Sequence, residues 1–215
     1  MSRFSQARFL LSAAAAAQFP DDRGIEVAFA GRSNAGKSSA INAILERRAL
    51  ARTSKTPGQT RLVNFFELAP ERRLVDLPGY GYARVPEAER RRWIPLLESL
   101  RVREALRGVF LIVDARRGVA EADNALIAWA DPVRCGVHVL MSKADKLTRN
   151  EAAAALRAAR AKLPSTATVQ LFSAVNGTGL ETAQRVLGAW LEGKAWEGSG
   201  GEKTPATSSE ATGAD

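Results

Sequence analysis

The stretch Gly31-Arg32-Ser33-Asn34-Ala35-Gly36-Lys37-Ser38 constrains this chain more than any other. Its pattern, G-x-x-x-x-G-K-S, is that of a phosphate-binding loop. The flanks supply the context the pattern needs. Ile25 to Ala30 is an apolar run that reads as a buried strand, and Ser39 to Arg48 reads as a helix with Ile41, Ile44 and Leu45 on one face. Gly31 and Gly36 let the backbone curl so that its N–H groups converge on phosphate oxygens. The helix N-terminus adds the positive end of its dipole. Lys37 reaches the outer phosphates as a point charge, and the Ser38 hydroxyl is placed to ligate magnesium.

The rest of the chain alternates. Leu50 to Thr60 is polar, contains Pro57-Gly58 and reads as a mobile loop. Arg61 to Leu68 and Arg72 to Leu77 read as an antiparallel hairpin. Glu87 to Arg103 is helical by pattern, with Trp93, Leu96, Leu97 and Leu100 on one stripe and a kink or break expected at Pro95. Val109 to Val113, Val137 to Met141 and Thr168 to Phe172 read as buried strands. Ala122 to Ala130, Glu151 to Leu163 and Leu180 to Leu191 read as the helices between and after them. Such alternation predicts a three-layer α/β fold: a mostly parallel six-stranded sheet with one antiparallel edge strand and helices on both faces. Ligands of such sheets bind at the carboxyl ends of the strands. The expected division is an N-terminal extension, residues 1–23, packing on a nucleotide-binding domain, residues 24–193, with a disordered tail at 198–215 whose Gly/Ser/Thr/Glu/Pro composition cannot bury a core.

Composition narrows the chemistry. The chain has 215 residues, 31 Lys and Arg against 23 Asp and Glu, and a net charge of +8, which suggests a polyanionic partner, RNA or a membrane surface, or simply a solvated basic face. Cys135 is the only cysteine and His138 the only histidine, so neither an internal disulfide nor a His/Cys zinc cluster can form. His138 lies in an apolar strand and reads as packing. Arg3, Arg8 and the apolar stretch from Phe9 to Ala17 mimic a signal peptide. The phosphate loop that comes so soon after argues instead for a short strand or clasp at Phe9 to Leu11 and a short alanine helix ended by Pro20. No run approaches the roughly 20 apolar residues of a membrane span.

Three further loops decide which nucleotide is bound. Asp76 ends a strand and precedes Leu77-Pro78-Gly79. Its carboxylate can hold magnesium through water, and the Gly79 N–H can bond the terminal phosphate. Thr60, in the polar loop, can offer a hydroxyl to magnesium and an N–H to the same phosphate. Thr53 and Thr56 compete, but Thr60 abuts the strand that would anchor it. Ser142-Lys143-Ala144-Asp145 comes after a buried strand. Guanine presents a ring N–H beside an exocyclic amine, and the Asp145 carboxylate can accept both, a pair adenine cannot supply. The Lys143 stem can cover the ring. Phe172-Ser173-Ala174 ends the last strand, where a backbone N–H can meet the guanine oxygen.

Together the boxes G-R-S-N-A-G-K-S, T-P-G-Q-T, D-L-P-G-Y-G-Y, S-K-A-D and F-S-A resemble those of the EngB family (also called YihA or YsxC) of Era-like bacterial GTPases. Ala51 to Thr60, Asp76 to Ala83 and Asp114-Ala115-Arg116 are the more specific parts, and the likeness runs from about Phe9 to Leu191. The resemblance implies a P-loop GTPase fold and a GTP or GDP site. Its contacts would be Gly31, Arg32, Ser33, Asn34, Ala35, Gly36, Lys37, Ser38, Gly58, Gln59, Thr60, Arg61, Leu62, Asp76, Leu77, Pro78, Gly79, Ser142, Lys143, Ala144, Asp145, Phe172, Ser173 and Ala174. Ser38 and Thr60 would ligate Mg²⁺, with Asp76 acting through water. It also implies a cytoplasmic role in large-ribosomal-subunit assembly that is needed for normal division and septation. Two departures stand out: Ser142 replaces the Asn of most GTPases and the Thr usual in this family, which predicts a weaker tie to the phosphate loop, and Pro95 interrupts the Trp93 helix.

The expected reaction is GTP hydrolysis, with Lys37, Thr60 and Gly79 as the catalytic contacts. Tyr80 comes after Gly79 where Ras-like enzymes place a water-orienting Gln, so intrinsic turnover should be slow. Asn34 is a candidate ligand for a stimulating K⁺. Arg90 to Arg92, with Arg84, Arg101 and Arg103, suggest a monomer that binds the large subunit or its rRNA precursor through a basic surface, without stable membrane insertion. The alternative is a nucleotide-gated interaction module at the division site or membrane with little functional turnover. An ATP-dependent kinase is disfavoured by Asp145.

Overall fold

The computed structural model describes residues 4, 6–51, 62–80, 95–130 and 135–196. Seven strands form one sheet in the order β1-β3-β4-β2-β5-β6-β7. They are β1 (Arg8–Ala13), β2 (Ile25–Gly31), β3 (Val63–Ala69), β4 (Arg72–Asp76), β5 (Leu106–Asp114), β6 (Gly136–Ser142) and β7 (Ala167–Leu171). The helices are α1 (Lys37–Ile44), α2 (residues 95–101 among those described), α3 (Glu121–Trp129), α4 (Arg149–Lys162) and α5 (Leu180–Leu191). β3 runs antiparallel to both its neighbours, β1 and β4, and the remaining pairings are parallel. The sheet thus has one strand more than the six expected, because Arg8–Ala13 pairs along β3 and becomes the outer edge.

The core lies in two layers because the central strands are apolar on both faces. Along β5 the residues alternate: Val109, Leu111 and Val113 face one side with Leu97 and Leu100 of α2 and Leu126 and Ile127 of α3. Phe110 and Ile112 face the other, with Ile41 and Ile44 of α1 and Val186, Leu187 and Trp190 of α5. Trp190 can lie flat on the sheet only because glycines pave it. A Cβ on Gly108 would come within 2.4 Å of its ring, and one on the paired Gly136 within 2.9 Å.

Local differences from the sequence reading have local causes. The alanine run gives only one 3-10 turn, Ala16–Gln18, because the Gln18 side chain accepts from the Ala14 and Ala15 N–H groups at 2.7 and 3.1 Å. α1 begins at Lys37, earlier than expected, and ends at Ile44, since Glu46 and Ala49 adopt positive φ and turn the chain back. The Asn42 amide staples that return, donating to Ala51 O and accepting from Ala51 N at 2.9 and 2.8 Å. Pro95 is the first described residue of α2. Trp93 and the rest of the expected helix before it lie outside the described residues, as does the 198–215 tail.

A buried charge cluster ties the chain entry to the sheet. Glu26 is fully buried and accepts from Arg73 Nε at 2.9 Å and from Arg103 Nε at 2.8 Å. The same arginines donate to the Asp21 and Pro20 carbonyls at 2.9 Å. Arg103 therefore turns inward and leaves the basic surface for which it was a candidate; Arg101 instead pairs with Glu98 at 3.0 Å on the outside.

His138 is buried packing, as its strand position suggests. Its Nδ1 lies 2.6 Å from Thr168 Oγ1 and its Nε2 2.9 Å from Gln170 Oε1. Burial lowers its pKa to about 4, against a smaller opposing effect of the Gln170 bond. A histidine with a depressed folded pKa excludes a proton that the unfolded chain accepts. Its stabilisation is complete above pH 6.5 and is lost as pH falls toward 4. Urea unfolding should therefore show a loss of about 2–3 kcal/mol from this residue between pH 7 and 4.5, and His138→Gln should flatten that slope. An unchanged slope would contradict the assignment.

Candidate functional site

Parallel pairing sets the site. β2 lies between β4 and β5, so the loops leaving Gly31, Asp76 and Asp114 emerge side by side. Gly31 must be glycine there, because a Cβ would approach the Ile112 carbonyl oxygen to 2.7 Å. The loop turns through Asn34 at φ 63° and Gly36 at φ 98°, left-handed values that Asn and Gly accept most readily. Gly36 caps α1, so Lys37 and Ser38 open the helix at its positive end. The Lys37 ammonium pairs directly with the Asp76 carboxylate, both largely buried. The Asp76-Leu77-Pro78-Gly79 segment lies against the phosphate loop: Leu77 N donates to Phe29 O at 2.9 Å, Ser33 N to Tyr80 O at 3.0 Å and Tyr80 N to Gly31 O at 3.3 Å. A Cβ on Gly79 would come within 2.8 Å of Ser33 Oγ.

The third loop is joined to the first by side chains. Ser142 Oγ reaches the Ala35 carbonyl and also lies 3.1 Å from Val113 O. Serine thus ties the two loops at this position. Lys143 adopts φ 60°, and its ammonium donates to Asn34 O at 2.6 Å and to Asp114 Oδ2 at 2.9 Å. Its stem consequently spans from one loop to the other.

Asp145 and the fourth loop form one unit. Ala144 N donates to Phe172 O at 3.1 Å, and Ser173 Oγ donates to Asp145 Oδ1 at 2.6 Å. That bond holds the Asp145 carboxyl below the usual carboxylate range, with help from Lys146 at 3.2 Å. Ser173 is fully buried, and Ala174 comes next in the turn. Thus Gly31 through Ser38, Asp76 through Gly79, Ser142 through Asp145 and Phe172 through Ala174 converge at the carboxyl edge of the sheet. Leu62 lies just before β3, while Gly58, Gln59, Thr60 and Arg61, together with Thr53 and Thr56, lie outside the described residues.

Three side chains take roles the sequence reading did not assign them. Asp114 ends β5 as Asp76 ends β4, and it holds Lys143 on one side and Arg116 on the other, with Arg116 at 2.7 and 3.0 Å. Burial would raise its pKa, but the bonds from Arg116 and Lys143 outweigh that and hold it well below the carboxylate range. The strand-end position was the available signal. Asp123, at the start of α3, and the Arg32 side chain that faces it had none, since their meeting depends on how α3 packs.

The arrangement sets a phosphate-binding loop and a carboxylate held by Ser173 at the same edge of the sheet. Asp145→Asn should exchange guanine for xanthine nucleotides, because the amide donates to the carbonyl oxygen that replaces the exocyclic amine. In the variant guanine loses both bonds and its donors face the amide's own, which should cost about 10⁴-fold. Equilibrium binding of GTP and of xanthosine triphosphate to both proteins checks this; unchanged GTP affinity in the variant would contradict it.

Comparison with known proteins agrees with this geometry. Residues 26–143 match the family model described as "50S ribosome-binding GTPase". The "Probable GTP-binding protein EngB" of Pseudoalteromonas atlantica is 50% identical over 195 residues, covering 89% of this chain and 95% of that protein. That of Azoarcus sp. is 48% identical over 203 residues, covering 92% and 97%. A crystal structure of a probable GTP-binding protein engB superposes with a TM-score of 0.59 at 21% identity, covering 79% of this chain and all of that one, which supports the fold. A phosphate loop, a carboxylate-bearing base loop and half-identical relatives over nearly the whole length lead to one conclusion: this chain belongs to the EngB family of GTP-binding proteins and is a GTPase.

Proposed function

We propose that this GTPase is a cytoplasmic, monomeric switch that binds the large ribosomal subunit or its rRNA precursor, and that it is needed for normal division and septation. The observation that carries this reading is the match of residues 26–143, the segment holding the first two site loops and the start of the third, to a family described as ribosome-binding. The excess of basic residues, +8 at neutral pH, supports a polyanionic partner. Among the described residues no helix is long and apolar enough to cross a membrane. Residues 24–193 would be the GTPase unit, with 1–23 an extension held by β1 and by the Glu26 cluster.

The site residues then take these roles. Lys37 leaves Asp76 for the outer phosphates, the loop N–H groups from Ala35 to Ser38 surround them, and the Gly79 N–H bonds the terminal one. Asp145 reads guanine, the Lys143 stem covers it, and the loop of Ser173 and Ala174 faces its oxygen. Ser38 and Asp76 carry the hard oxygen donors that suit magnesium, and Thr60 would complete the set. Magnesium, when bound, neutralises charge building on the phosphates. Water attacks the terminal phosphorus in line as the bond to the leaving diphosphate oxygen breaks. No side chain among the described residues is placed as its base: Tyr80, next after Gly79, turns its hydroxyl inward to Asp123. Intrinsic hydrolysis is slow for that reason. Asn34 is exposed on the loop, where its side-chain oxygen can hold K⁺ beside the phosphates and replace part of an arginine finger's roughly 10³- to 10⁵-fold effect.

Co-sedimentation with purified large subunits should be GTP-dependent and steeply weakened by salt. Charge reversal at Arg90, Arg91 and Arg92, which lie outside the described residues, should weaken it while sparing nucleotide binding. Turnover in the same assay should be faster in potassium than in sodium, a difference lost in Asn34→Ala. Unchanged sedimentation of the triple variant, or equal rates in both salts with and without subunits, would refute the respective part. Vesicle binding in place of subunit binding would favour a membrane-directed module.

A further inference from the structure

Arg32, Tyr80 and Asp123 come from the phosphate loop, the end of the Asp76 segment and the first turn of α3, yet they share one buried cluster. Asp123 is fully buried and Tyr80 is 8% exposed. The Tyr80 hydroxyl donates to Asp123 Oδ1 at 2.8 Å. Asp123 Oδ2 accepts from Ala120 N at 2.9 Å and lies 3.4 Å from Arg32 Nε. Arg32 Nη2 donates to Gly118 O at 2.8 Å. Arg32 Nε is buried and makes no hydrogen bond among the described residues, so the Asp123 charge is what faces it. Burial, then the neighbouring Asp123 charge and bond, push the Tyr80 hydroxyl far above the normal phenol range, so it stays a donor.

The main chain shows what this cluster holds. The Asp76–Gly79 segment is fixed at its start by Leu77 N on Phe29 O and at its end by the Tyr80 main chain, which bonds Gly31 and Ser33. The Tyr80 side chain adds a third anchor, outside the loop, on α3. Gly79 is the residue immediately before that anchor, and its backbone abuts Ser33. We infer that Tyr80, Asp123 and Arg32 form a positioning unit for the Gly79 N–H, which sets its contact with the terminal phosphate and carries the presence of that phosphate to α3. This rests on the reading of Asp76–Gly79 as the segment that meets the terminal phosphate. The three are positioning residues; none touches the nucleotide through the groups named here.

The unit acts only where a terminal phosphate is present. Tyr80→Phe keeps the buried ring and removes only the hydroxyl. It should leave GDP affinity within about twofold of the parent, while affinity for a non-hydrolysable GTP analogue and kcat both fall about tenfold, the scale of one hydrogen bond to a charged group. Asp123→Asn should behave alike, and the double variant should be little worse than either single one, as coupled residues are non-additive. A separate variant tests the underlying reading. Gly79→Ala puts a methyl against Ser33 and should lose analogue affinity while keeping GDP. If Gly79→Ala loses the analogue but Tyr80→Phe keeps it, the positioning unit is refuted and the segment's role stands. If Gly79→Ala keeps the analogue, both are refuted. Equal losses of GDP and analogue in Tyr80→Phe, with a lowered melting temperature, would show a purely structural tyrosine and also refute the proposal.

Discussion

The placement of β2 between β4 and β5, parallel to both, is the constraint on which the site depends. It brings the chain ends after Gly31, Asp76 and Asp114 to one edge with no side chain doing the aligning. The hydrogen-bond ladder fixes their separation, and Gly31 lets β2 close on Ile112. Lys37 and Asp76 can then pair, and Lys143 can reach both Asn34 and Asp114. A slip of the parallel register would move all these groups at once and turn each strand's side chains to the wrong face.

Electrostatics then divides the site in two. At the phosphate end a lysine ammonium, a helix N-terminus and the glycine-rich backbone concentrate positive potential, with Asp76 as the internal counter-charge. At the base end two carboxylates are kept ionised by different means: Asp145 by the Ser173 hydroxyl, Asp114 by Arg116 and Lys143 despite its burial. Lys143 links the two ends. An Asn at position 142 would make a longer reach, but the serine hydroxyl already contacts the Ala35 carbonyl because β6 and β2 flank the same central strand.

Hydrophobic period and local chemistry made part of this molecule legible in its sequence. The two-faced strands, the phosphate loop, the Asp76 strand end and the loop that carries Asp145 are all formed by residues close in the chain. The seventh strand was foreshadowed by Phe9 to Leu11 but not its pairing along β3, which depends on a partner more than fifty residues away. The Glu26 cluster and the inward turn of Arg103 were invisible for the same reason: an arginine in a basic run reads as surface until its buried carboxylate is known. Asp123 looked like an ordinary acidic residue in a first helical turn, and only the packing of α3 shows it facing Tyr80 and Arg32.

If the carboxylate fixed by Ser173 reads the base, the site is guanine-specific. Competition of unlabelled nucleotides against fluorescent GDP tests it most directly in the unaltered protein. GTP should displace the probe, ATP should not, and inosine triphosphate, which lacks only the exocyclic amine, should bind about 10- to 100-fold more weakly than GTP, the cost of one missing bond to a charged acceptor. Displacement by ATP or by inosine triphosphate as effective as that by GTP would contradict the account.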